Sequence, residues 1–279
     1  MSRITDLVDR AGGADDTSPA PAPRAVLATQ AADADAAWQA LNTGGTLSAA
    51  VLASPLAGLR RVYVPAGSAS EDAAPDGLLG HYRGHPVHVP ASAAGRILVH
   101  ALRLLEEDPL SDMDADTRAT HCAAALAHAL HSEASQTPLD ERLSLGAVNA
   151  FLAADPAQLA AALQLPESEL SVPEALLILD TSVGGVALAR GGLPLVLVRA
   201  DRPALLMAAA GDDSASAFAL LTLLVATCDL GAPLSSSLAD LGPERPCVAM
   251  LLDERGDFQA AGNPHSAVHV RGYERTEAE

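Results

Sequence analysis

Lysine is absent from this 279-residue chain, and all 17 of its cationic residues are arginine. Against them stand 35 Asp and Glu, for a formal charge of −18. A Walker-type phosphate loop, whose lysine grips the terminal phosphates, is excluded outright. The anionic balance disfavours nucleic-acid phosphates and acidic membrane headgroups, and favours cationic or uncharged partners. Imitation of DNA would need a dense carboxylate block, and the acids here are scattered along the chain. An Arg- and Ala-rich coding bias accounts for the missing lysine as simply as selection does.

Aromatic residues are also scarce, at 3%, with Trp38 the single tryptophan. The core must therefore be built from Ala, Leu and Val. Cysteine is limited to Cys122, Cys228 and Cys247, an odd number at wide spacing with no CxxC. That pattern argues against a disulfide framework and against a Cys-type zinc site. No GxSxG, HExxH or GxGxxG is present, which lowers the expectation of a familiar enzyme. The best candidate for a membrane span, residues 214–228, falls short of the roughly 20 residues a span requires. A buried helix is the better reading of it. The opening residues, Met1 to Asp6, lack the apolar stretch of a secretory signal. The expected location is the cytoplasm, or a particle assembled there.

What remains is a core-building chain, 49% hydrophobic and only 19% charged. Residues 11–24 (AGGADDTSPAPAPR) are an exception, too poor in apolar surface to offset chain entropy. Residues 1–24 are expected to form a flexible arm, and 273–279 a frayed tail. Between them, 25–165 is expected to be α-rich with a small β element, and 166–272 to hold an antiparallel sheet with one buried helix.

Within the first part, a short apolar run stands at Ala25 to Ala28, and helices are predicted through 33–41 and around 47–52, with a strand at 61–65. Residues 78–89 (LLGHYRGHPVHV) read as two short strands about a Gly84 turn. The stripe Ile97, Leu98, Ala101, Leu102 and Leu105 predicts a helix ending before Pro109. A second helix is predicted from about Asp114 to Glu133. A third opens at Thr137-Pro138, with Leu143, Ala147 and Phe151 on its buried face, and a fourth at Asp155-Pro156. From 95 to 165 the chain thus reads as an Ala-rich helical region.

The period then changes. Apolar runs at 176–180, 185–189, 193–198 and 204–208 are separated by Gly-Gly pairs and Asp201-Arg202-Pro203, as in antiparallel strands with tight turns. Ser171-Val-Pro-Glu174 also fits a capping box, so a helical turn at 172–179 stays open. After the apolar helix at 213–228 come a polar connection, a hairpin at 247–260 and a last strand at 267–271. The fold class expected is α+β, helices packed on a mainly antiparallel sheet. Because 61–107 and 193–229 share the order strand, strand, long apolar helix, the pattern also admits a pair of ββα units.

Nine histidines offer chemistry. His121, His128 and His131 fall on one broad face of the second helix, and neutral imidazoles suit zinc and similar metals. The competing reading makes them polar flanks of the stripe Cys122, Leu126, Leu130. His81, His85 and His88 occupy the predicted strand pair, and His265 and His269 lie near the end of the chain. The stretch 177–192 (LILDTSVGGVALARGG) faintly resembles the first phosphate hairpin of the actin-like ATPase superfamily, which would imply an Asp for metal-bound water and hydroxyls for phosphate. A plain hairpin with an Asx-type turn accounts for the same letters, and no second phosphate loop follows.

These observations lead to the expectation of a non-enzymatic interaction or structural protein: an adaptor, chaperone or assembly subunit, such as a secretion-system or virion component. It would use no cofactor and would pair with a protein partner or further copies of itself, not with nucleic acid or membrane. The alternative is a metal-assisted hydrolase using the helical histidines. For the interface, Leu195, Val196 and Leu197 stand out, since the run 193–208 shows almost no alternation, as strands covered on both faces do.

Overall fold

The computed structural model describes residues 77–165, 193–199, 204–209 and 211–241 with their side chains, together with Cys247, Ala249 and the backbone of the further strands given below. The expected arm, the tail, the helices at 33–41 and 47–52 and the Ser171–Glu174 capping box lie outside the described residues. The architecture is α+β, with two antiparallel sheets and a helical layer.

The strands are β1 (Arg24–Ala28), β2 (Arg60–Arg61), β3 (Gly77–Tyr82), β4 (His85–Pro90), β5 (Ala175–Asp180), β6 (Gly184–Ala189), β7 (Gly192–Arg199), β8 (Arg202–Ala210), β9 (Cys247–Leu252), β10 (Phe258–Gly262) and β11 (His269–Tyr273). Five of them form one sheet in the order β11-β1-β5-β6-β2, and six the other in the order β10-β9-β8-β7-β4-β3. The helices are α1 (Ala93–Leu105), α2 (Ala115–Ala134), α3 (Leu139–Arg142), α4 (Leu145–Leu152), α5 (Pro156–Ala161), α6 (Asp213–Leu224) and α7 (Leu234–Asp240).

The six-stranded sheet contains two successive ββα units, β3-β4-α1 and β7-β8-α6, joined edge to edge by the pairing of β4 with β7. Both helices lie on one face and pack against each other. Leu195, Leu197, Leu205 and Met207 point into that helical core, whereas the alternate residues Val196, Leu206 and Ala208 are buried outside it. Their face lies toward the second sheet, since β5 and β6 contact β7 and β8. Both faces of β7 are thus covered by the chain itself.

Local chemistry sets most boundaries. Ser92 accepts from Gly95 N at the start of α1, Asp114 from Thr117 N at α2, and Asp155 from Ala157 N at α5. The expected third helix is divided. Ser144 leaves the helical path and its hydroxyl accepts from Ala147 N, so α3 ends and α4 begins with Val148 and Phe151 buried. Pro138, not Thr137, occupies the capping position of α3, without a side-chain bond. The region 172–179 resolves in favour of strand from Ala175 onward, and the connection after residue 230 contains α7. The long apolar helix ends in a π turn, Val225–Asp229.

Small residues allow close approach at one junction above all. A Cβ added to Gly95 would stand 2.0 Å from the Pro90 carbonyl oxygen, where β4 turns into α1. Gly95→Ala is therefore expected to lower unfolding stability by about 3 kcal/mol or more, as backbone must move to admit the methyl. Gly146→Ala, on the exposed side of α4 with Ser144 Oγ at 3.7 Å, is the control, expected to be neutral or stabilising by up to about 1 kcal/mol. Urea unfolding followed by circular dichroism distinguishes the two.

Candidate functional site

Polar side chains converge in two places on the helical layer. The first is the turn between β3 and β4. Arg83 and Gly84 both have positive φ, 52° and 74°, the left-handed pair that a two-residue hairpin turn requires. Glycine adopts it freely, but an arginine there is strained by about 1–2 kcal/mol. Interactions around α1 offset this cost. The Arg83 guanidinium donates to the carbonyls of Leu105 (3.1 Å), Glu106 and Asp108 (2.8 Å), and through Nε to Asp229 Oδ1 at 2.6 Å. It thereby satisfies carbonyls at and just beyond the negative end of a helix, which lack intrahelical partners. In return the Glu106 carboxylate accepts from the backbone N–H of Arg83 (2.9 Å) and Gly84 (2.8 Å).

Asp229 ends the π turn and faces the hairpin with both oxygens engaged, since Tyr82 donates its hydroxyl to Oδ2 at 2.5 Å. Burial and this bond push the Tyr82 phenol far above its ordinary pKa. Nearby, burial pushes the Cys122 thiol up to about 12 and raises that of Cys228. Both stay protonated at neutral pH and are poor nucleophiles. Asp108 is buried and contacts His121 Nδ1 through Oδ2 at 3.1 Å. A carboxylate on Nδ1 orients an imidazole to present Nε2 as a base or a ligand.

The second cluster joins α1, α2 and α3. Glu133 of α2 accepts from Arg96 of α1 and from Arg142 of α3, and these bonds hold its carboxyl below the ordinary range. Arg142, itself buried, also donates through Nε to Thr137 O at 2.5 Å. Beside it the ring of His128 stands edge-on to His100, with centroids 5.5 Å apart, and to Phe151 at 5.8 Å.

The three histidines singled out in the sequence share α2 but go to different neighbours. His121 meets Asp108, His128 meets His100 and Phe151, and His131 is exposed. Among the described residues no group of three or more His, Cys, Asp or Glu stands so as to hold a metal ion. His81 and His88 lie on the β3–β4 hairpin with Leu79, on the face opposite Tyr82, and His85 pairs with Tyr82 in the ladder. β5 and β6 pair antiparallel, with Asp180 opposite Gly184, and residues 181–183 lie outside the described residues. Leu195, Val196 and Leu197 are 0%, 0% and 1% exposed, so within the single chain their surface is already used. Sequence reasoning missed His100, although an imidazole in the middle of the Ile97–Leu105 stripe was a readable signal. It also missed Asp229, whose role depends on contacts distant in sequence.

No family model and no curated protein matches the chain. Among solved structures it is similar to LmbA2991T421A, at 14% identity and a TM-score of 0.53, covering 98% of this chain and 72% of that one. It is also similar to LmbA2991HD, at 13% identity and a TM-score of 0.50, covering 71% of this chain and 55% of that one. The chain thus spans about half the length of LmbA2991HD. At these identities the likeness is one of fold alone.

The hairpin clamp has a measurable consequence. Arg83→Ala is expected to cost roughly 2–4 kcal/mol in urea unfolding, because Asp229 and the carbonyls at the end of α1 lose their donor. Arg83→Gly removes the same donor but relieves the left-handed strain, and should recover about 1 kcal/mol of that loss. Equal stability of the two variants would contradict this account of the turn.

Proposed function

We propose that the protein acts by protein–protein contact, as a non-enzymatic interaction or structural protein of the adaptor, chaperone or assembly-subunit kind. The observation that carries this reading is the outward side of α4. Leu145 is 70% exposed and Leu152 53% exposed, seven residues and two turns apart on one side of the helix. Between them on that side stands the uncharged amide of exposed Asn149, and no charged residue interrupts α4. An apolar surface of this kind is a recognised mark of a docking site. Meanwhile the charged groups that could serve catalysis near the clamp and around Glu133 are taken up by internal partners.

The chain's charge of −18 argues for an uncharged or cationic protein partner, or a further copy meeting it through this neutral patch, and against nucleic acid. No helix among the described residues is long and apolar enough to cross a membrane. A cytoplasmic setting, or a particle assembled there, suits this reading. The second reading, a metal-assisted hydrolase, draws on one observation, the carboxylate-oriented imidazole of His121. Stoichiometric zinc or cobalt in the purified protein, lost in His121→Ala, would favour it.

The test of the main reading is the double variant Leu145→Asp, Leu152→Asp. Light scattering across a concentration series, with co-purification from the source cells, is expected to show association that the variant loses, while its circular dichroism stays unchanged. A wild type that is strictly monomeric and binds nothing would remove the support for it.

A further inference from the structure

The imidazole of His100 is fully enclosed, at 0% exposure, and neither ring nitrogen makes a hydrogen bond. Such an orphaned polar group costs about 1–3 kcal/mol and calls for an explanation. The three histidines of this region are graded: His131 is exposed, His128 half-buried and His100 buried. Only the last two are in ring contact.

We propose that His100, stacked edge-on against His128, acts as a proton sensor that loosens α3, α4 and α5 from α1 and α2 as the pH falls. This inference is independent of the docking reading above, since it concerns how residues 139–161 are held and not what they touch.

The charges around the stack favour such a device. From α2 come His128, His131 behind it, and Glu133. From α3 comes Arg142, cationic and buried. From α4 come Val148 and Phe151, neither of them charged. α6 supplies Asp213, which acts on Arg96 of α1. β3 and β4 supply Tyr82, bound to Asp229, with His81 and His88 on the opposite face. The α2 carboxylate, Glu133, is already shared between Arg96 and Arg142. Protonation of His100 thus adds positive charge within the field of the Arg142 guanidinium, and Glu133 is already engaged.

Burial, then the fields of His128 and Arg142, hold His100 down to about 4 from 6.5. Burial and His131 lower His128 as well. When the segment opens, His100 regains water and its ordinary value. The open form therefore binds more protons between pH 6.5 and 4. The closed form keeps its full stability above pH 6.5 and loses it progressively as the pH falls through that window.

The part that yields is 139–161. It consists of helices of four, eight and six residues, each too short to persist unsupported. Two of its anchors, Arg142 and Phe151, lie next to the stack itself. α1 cannot leave, being held by the six-stranded sheet and α6.

The experiment is hydrogen exchange with mass spectrometry on the full chain from pH 7.5 to 4.5, corrected for intrinsic rates. Protection of 145–152 is expected to fall by up to about 10-fold per pH unit below 6.5, the slope for one proton, while α6 stays protected. His100→Phe should abolish that fall. A variant that opens like the wild type would overturn the proposal. Should His100→Phe not fold, the imidazole resonances of the wild type decide. Protonation of His100 below pH 5 together with a shift of the Phe151 ring supports the proposal, and titration near 6.5 with no change at Phe151 overturns it. Zinc added at pH 7.5 that binds His100 and raises the melting temperature would also overturn it, by assigning the orphaned nitrogens to a metal.

Discussion

The burial of α1 is the constraint on which the described structure turns. Ten of its 13 residues are buried, because β3 and β4 lie beneath it, α6 beside it, and α2 to α4 against it. The ends of a helix so enclosed are met by protein groups. At the start the Ser92 hydroxyl accepts from Gly95 N, and a glycine lets the Pro90 carbonyl come close. At the other end the Arg83 fork and Asp229 serve the same purpose. The hairpin cluster is a consequence of ending an apolar helix against other elements, while the two ring nitrogens of its one histidine stay without a hydrogen bond.

The absence of lysine takes on a physical meaning here. Arg83 reaches three carbonyls and a carboxylate at once, and Arg142 joins Thr137 O to Glu133. A planar fork with several fixed donors can do this, whereas a single ammonium cannot satisfy so many directions at comparable geometry. Whatever drove the composition, substituting lysine at these two positions would not be conservative.

The elements of the fold were largely legible in the sequence. The stripe Ile97–Leu105, the Gly84 turn, the helix starts at Asp114 and Asp155 and the four apolar runs after 175 all became helices and strands. The two ββα units were legible for the same reason, since each is local. The division of 139–152 was not, because a buried face of period 3.6 runs on through Ser144 and only the hydroxyl cap reveals the break. Nor was the cover over β7. An unalternating strand shows that both faces are buried but not by what, and the second sheet was a candidate no local pattern could name. At the site level, the histidines of α2 could be placed on one helix. Which neighbour each would meet depended on Asp108, His100 and Phe151, brought there from other elements.

The pairing of β4 with β7 bears on how the molecule assembles. His88 stands opposite Val196, so the whole helical layer from α1 to α5, together with β5 and β6, lies inside the loop this contact closes. Each ββα unit can form early from neighbouring residues, whereas joining them must first overcome the entropy of a long closure, which grows only slowly with its length. The same holds more strongly for β1 and β11, which bring together Arg24 and Tyr273. Four of the six strands of this sheet thus come from two local units, and their joining needs the long closure. Until that step is taken, the edges of β4 and β7 are open to any other strand.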